Sequence, residues 1–117
     1  MGVTLAVSLI YQDPSLSHDE AIRHLASDLD ENVICALVSI GLNETNRAWA
    51  QDTCLKYLTN KTEAIVASAV TALGHIVRRH GELDIKTVLP ALETDQSKFP
   101  ALKGIIEDTL DDIGTFA

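Results

Sequence analysis

Four histidines, two cysteines and a dense run of carboxylates are the reactive side chains of this sequence. A helical metal site or a paired acid-base site needs two such groups on one face, as two histidines four apart provide. His75 and His80 are five apart with no glutamate following His75, and His18 and His24 are six apart. Each pair therefore points two ways, and structural roles are expected, with His75 placed to bond backbone in a neighbouring unit. Cys35 and Cys54 form no CxxC pair and lie in apolar stretches, which predicts small buried thiols rather than redox or zinc chemistry. None of the 6 glycines falls in a GxGxxG or GxxxxGK pattern, and no serine nucleophile motif is present. The carboxylates fall in solvated turns and helix ends, where nothing lifts a pKa toward catalytic use. The expectation is a protein that is not an enzyme and uses no cofactor and no metal.

Glu107-Asp108 and Asp111-Asp112 are the densest charge on the chain. At helical spacing they form one negative face opposite Ile106, Leu110 and Ile113. Like charges three and four apart cost a helix about 0.2–0.5 kcal/mol per pair. They also stand near the C-terminal, electronegative end of the helix. With 9 basic and 17 acidic residues the net charge is −8, a field that repels nucleic acid and anionic lipid and attracts a basic protein surface. This charge, kept despite its local penalty, predicts a partner-binding patch. Glu44 and Glu82, in the links between helices, extend it, and Trp49 is a candidate anchor. Trp49 and Tyr57, eight apart, also fit a shared core face. Arg78 and Arg79 are expected to balance local carboxylates or cap the C-terminus of their helix rather than bind nucleic acid.

The elements that carry these groups are helical. With 117 residues, 46% hydrophobic, 22% charged and only 4% aromatic, the chain suits one domain over 1–117 packed through Leu, Ile, Val and Ala. Ile22 and Leu25, Leu55 and Leu58, and Leu89 and Leu92 recur at offsets of 33 and 34 residues. Val33, Ala36, Leu37, Ile40 and Gly41 recur 33 residues later as Val66, Ala69, Val70, Leu73 and Gly74, and a looser copy 37 further on places Ile106, Leu110 and Ile113. Two amphipathic helices per unit, neither able to bury its apolar face alone, describe a short right-handed solenoid of about three helix-pair repeats. Ser17-His18-Asp19-Glu20 is a capping box that predicts a helix over 19–29, with Asp30-Glu31 as the turn. Helices over 32–42, 47–58, 63–80, 85–93 and 100–113 follow, with Thr62 and Asp84 as N-caps and Gly81 as a left-handed terminator. Pro90 should kink or shorten its helix. The apolar run 3–11 reads as a short opening helix, or alternatively a strand; it is too short to span a bilayer and lacks the preceding basic residues of a signal peptide. No membrane association and a cytoplasmic location are expected.

Ala72-Leu73-Gly74-His75-Ile76 looks like the second-helix signature of bacterial HEAT-like repeats. Tetratricopeptide and ankyrin units share the unit length, but their signature residues are absent. The longer pattern from Ala72 to Gly81, then Leu83-Asp84, Val88 to Glu93, and Glu107-Asp108 with Leu110 to Ile113, resembles small HEAT-like immunity proteins encoded beside bacterial polymorphic toxins. This resemblance implies an all-α protein that binds and neutralises a cognate toxin, a basic nuclease, by occluding its active site. Glu107, Asp108, Asp111 and Asp112 would lead the contact, followed by Glu44, Glu82 and Trp49. The rival readings are a generic helical-repeat adaptor and an accessory subunit.

Overall fold

A computed structural model describes residues 14–117, and the expectation for residues 3–11 lies outside them. Six α-helices and one 3-10 turn make up the described residues, which hold no strand. Helix α1 (His18–Leu25) starts at the capping box: Ser17 Oγ accepts from the Glu20 amide at 3.2 Å and Glu20 Oε1 accepts from the Ser17 amide at 2.9 Å. It ends four residues before the expected 29. Ser27 Oγ accepts from the Leu29 amide and from Asn32 Nδ2, a side-chain alternative to the helical ladder that turns the chain outward. Asp30 and Glu31, expected as a turn, instead form the first turn of α2 (Asp30–Asn43), where carboxylates oppose the macrodipole favourably. Helix α3 (Arg47–Tyr57) is capped by Asn46, whose Oδ1 accepts from the Trp49 amide.

Helix α4 (Glu63–His80) matches its expected bounds and stops at Gly81, which has φ 67°. Without a Cβ, glycine takes that left-handed conformation at little cost. Helix α5 (Ile85–Lys98) runs eight residues past Pro90 and is longer than expected. The proline removes one amide, but the carbonyl it strands belongs to exposed Lys86, where solvent access lowers the cost of the lost bond. Buried Leu92 beyond it holds the continuation against the core. Neither Thr62 nor Asp84 caps through its side chain; Asp84 Oδ2 accepts from Thr87 Oγ1 at 2.7 Å instead. Pro100 opens a 3-10 turn (Pro100–Leu102) that leads into α6 (Lys103–Phe116).

Packing separates the even from the odd helices. Helix α2 lies against α4 and α4 against α6, while α1 packs on α2, α3 on α4 and α5 on α6, in a body of 48 × 27 × 25 Å. Both copies of the Val-Ala-Leu/Val-Ile/Leu-Gly stripe are buried, and all of their residues except Ala36 and the two glycines join Ile76, Val88, Leu92, Ile106 and Ile113 in one apolar cluster. Both recurring glycines stand at close contacts with the next even helix. A Cβ on Gly41 would stand 2.8 Å from Ala72 Cα, and one on Gly74 would stand 2.9 Å from Asp112 Oδ2 and 3.3 Å from Thr109 Oγ1. The spacing of α2 from α4 therefore depends on the missing methyl at Gly41, whereas the close contacts at Gly74 are side-chain oxygens of α6. The repeated leucine pairs are less central than their spacing suggests: Leu58 and Leu92 are buried, Leu25, Leu55 and Leu89 are half-buried, and Ile22 is 43% exposed. None of the helices among the described residues is long and apolar enough to cross a membrane.

Candidate partner-binding surface

The seam between α4 and α6 carries the most concentrated charge. Thr109, buried on α6, donates from Oγ1 to the Val70 carbonyl at 3.0 Å and pins the two helices together. Ile106 and Ile113 face the core from the same helix. This orientation turns Asp108, Asp111 and Asp112 into an open groove of about 430 Å³, which Thr71, Arg78, Ile105 and Thr109 complete. Asp108 and Asp111 are exposed. Asp112 is half-buried beside Gly74 and lies 3.6 Å from Arg78 Nε. The Arg78 Nη2 atom donates to His75 Nδ1 on its own helix.

Glu107 leaves this group. It is exposed, 3.8 Å from Lys103 one turn earlier, and not part of the groove lining. The single face expected for the four carboxylates is therefore split. Successive residues on a helix are about 100° apart, and with Ile106 and Thr109 turned inward, 107 and 108 diverge on either side of 106.

Glu44 has a different setting. Its side chain is only 8% exposed, and Oε1 lies 2.6 Å from His18 Nδ1 while Oε2 accepts from the Asn46 amide at 3.0 Å. Burial pushes this carboxyl's pKa up, but the Asn46 amide and the His18 ring outweigh it, and the net direction is below the usual carboxylate value. Arg79 donates to the carbonyls of Gly41 and Glu44, each at 3.0 Å, and His80 Nε2 to that of Glu44 at 3.2 Å. Both side chains satisfy free carbonyls at the C-terminus of α2, a helix with no basic residue in its last turn, and the Arg79 charge complements the dipole there. Arg79 therefore caps the neighbouring helix α2 rather than its own. Glu44 is thus held inside the molecule.

Glu82 is 73% exposed in the α4–α5 link, 3.6 Å from Arg47 Nε. Arg47 also donates to buried Gln51, whose Oε1 accepts from the Asp84 amide and so ties α3 to the start of α5. Trp49 is half-buried, its ring 4.3 Å from that of His18. It shares a groove of about 410 Å³ with Ile22, Leu25, Ala26, Thr53, Lys56 and Tyr57. The acidic groove and the aromatic groove have no residue in common. Cys54 is fully buried and burial pushes its thiol up to about 12, whereas Cys35 is half-buried. Among the described residues no group of three or more His, Cys, Asp or Glu is arranged to hold a metal.

Asp95 was missed by sequence reasoning. It lies on α5 with only 3% exposure, its Oδ2 has no hydrogen-bond partner, and burial raises its pKa above the ordinary value. The signal was its spacing: Val88, Leu92 and Asp95 follow an i, i+4, i+7 stripe, hidden by ending the helix at 93.

No protein-family model matches the chain, and no curated protein sequence does. Among solved structures, a chain of the CDI complex from Cupriavidus taiwanensis LMG 19424 is similar in fold and sequence: the TM-score is 0.78 at 28% identity, over 91% of this chain and 96% of that one.

Proposed function

We propose that this protein is the immunity partner in a contact-dependent inhibition system, binding a cognate toxin and neutralising it. The observation that carries this reading is the near full-length likeness to a chain of a CDI complex. The helix pairs α1–α2, α3–α4 and α5–α6 form three HEAT-like units of one short right-handed solenoid domain, a reading supported by the stacked even helices and their recurring glycines. The toxin is a basic nuclease, and the immunity protein occludes its active site in the cytoplasm without catalysis or cofactor. Support for that chemistry is the net charge of −8 and the groove holding Asp108, Asp111 and Asp112. Carboxylates so placed meet cationic side chains that otherwise receive phosphate, and the opposed fields speed encounter. Glu107 and Glu82 are exposed at the rim of this role, Trp49 offers an aromatic anchor, and Glu44 serves it only by holding α1, α2 and α4 in place.

The test is co-expression with the toxin domain encoded beside its gene. Copurification together with restored growth is expected. Copurification without restored growth would favour an adaptor, and failure of both would remove the immunity reading.

A further inference from the structure

We propose that the slot between the end of α3 and the body of α5 is a socket for one basic side chain, lysine or arginine, of a partner protein. The slot has a volume of about 240 Å³ and is lined by Leu58, Thr59, Ala91, Thr94, Asp95 and Lys98. None of these residues lines the acidic groove, so this is a second and separate surface. Its distinctive member is Asp95, 3% exposed and with Oδ2 unpartnered. An unsatisfied buried acceptor is rare in native proteins and calls for a donor.

The slot's own donors are directed elsewhere. Thr59 Oγ1 donates to the Lys56 carbonyl at 2.7 Å, and Thr94 Oγ1 to the Pro90 carbonyl at 3.0 Å. Lys98 Nζ is 3.4 Å from the Asn60 carbonyl and 5.2 Å from the centre of the Phe99 ring. A bound water could donate to Asp95 and to a threonine oxygen, but beside apolar Leu58 and Ala91 it would leave the carboxylate's charge without a counter-charge. A cationic head on an aliphatic stem suits both halves of the site: the stem lies along Leu58 and Ala91 and the head meets the carboxylate. The socket's chemistry does not depend on the toxin reading, and its test needs no toxin.

The test is an NMR titration of the whole isotope-labelled chain with n-butylguanidinium chloride, using n-butanol and sodium chloride as uncharged and ionic controls. Saturable shifts centred on the Thr59, Ala91 and Thr94 amides are expected with the guanidinium alone. Asp95→Asn should lose at least about tenfold in affinity, the scale of a charge-assisted hydrogen bond. Ala91→Leu, which fills the slot and keeps the carboxylate, should abolish the shifts independently of the Asp95 variant. Absence of saturable shifts, equal shifts with butanol, or undiminished binding in either folded variant would overturn the proposal.

Discussion

Replacing Gly41 and Gly114 separately by alanine tests whether the close approach of α2 and α4 is what the repeated glycine provides. Each is the twelfth residue of a fourteen-residue helix, so the two substitutions share their effect on helix propensity, a gain of about 0.5–1 kcal/mol. Their surroundings differ. Nothing lies within 4 Å of a Cβ at position 114, whereas at 41 it would meet Ala72 Cα at 2.8 Å, Ala72 Cβ at 3.0 Å and Ala72 O at 3.2 Å. Carbon atoms pack best at about 3.5–4.0 Å. The first contact is thus short by roughly 1 Å and falls on backbone, so α2 must move from α4. Overpacking of that kind costs about 1–3 kcal/mol. Gly114→Ala should raise stability slightly, Gly41→Ala should lower it or leave it flat, and the gap should be about 1–3 kcal/mol. Urea denaturation followed by circular dichroism reads both, and each kcal/mol should move the melting temperature by about 4 °C. Equal stability of the two variants would refute the role assigned to Gly41.

Asp95→Asn should stabilise the free protein. The Asp95 pKa is raised in the folded state from the usual 3.8, so the protonated form's stability is present at low pH and lost as pH rises through the folded value. A gain near neutrality that vanishes as pH falls below the ordinary carboxylate value is expected from denaturation at the two pH extremes; a pH-independent gain would contradict it. Reversing Asp108 and Asp112 to lysine together should slow toxin association about tenfold or more and flatten its salt dependence in stopped-flow or surface binding, since steering falls with the local field. Unchanged kinetics would mean that the groove is merely solvated. A thiol reagent should modify half-buried Cys35 readily in the native protein and leave Cys54 intact, because burial holds that thiol near 12. Mass spectrometry showing equal labelling would count against it.

Local signals fixed the helices most firmly where the chain's own chemistry is decisive. Ser17 with Glu20 started α1, and Gly81 ended α4, because capping bonds and a positive φ depend on residues a few positions apart. The buried stripes on α2 and α4 were equally legible from their spacing. The errors came where a distant or unexpected partner intervened. Ser27 shortened α1 by binding Leu29 and Asn32, and core packing at Leu92 carried α5 past its proline. Site residues followed the same rule. The grouping of Asp108, Asp111 and Asp112 was visible in helical spacing, but their joining with Thr71 and Arg78 of α4 was not. The burial of Glu44 and the loss of Glu107 from the face both depend on which side of each helix meets its neighbour, and a charge count contains no such information.

The arrangement of cations sharpens what the net charge means. Arg79 is held on the carbonyl end of α2, Arg47 on Gln51 and Glu82, Lys98 on the Asn60 carbonyl and Lys103 on Glu107. Arg78 alone reaches into the acidic groove, where it takes Asp112 and leaves Asp108 and Asp111 without an ion pair among the described residues. A charge of −8 spread evenly would steer a basic partner weakly to every side, because salt screens exposed charges beyond about 8–10 Å. Concentrated carboxylates in a groove, with these four cations engaged at other sites, focus the field at one seam. Arg78 then sets the depth of that field. Arg78→Gln would free Asp112 and raise the groove's charge by one unit, so on the toxin reading association should quicken and its salt dependence steepen, the opposite of what loss of an ordinary contact residue produces.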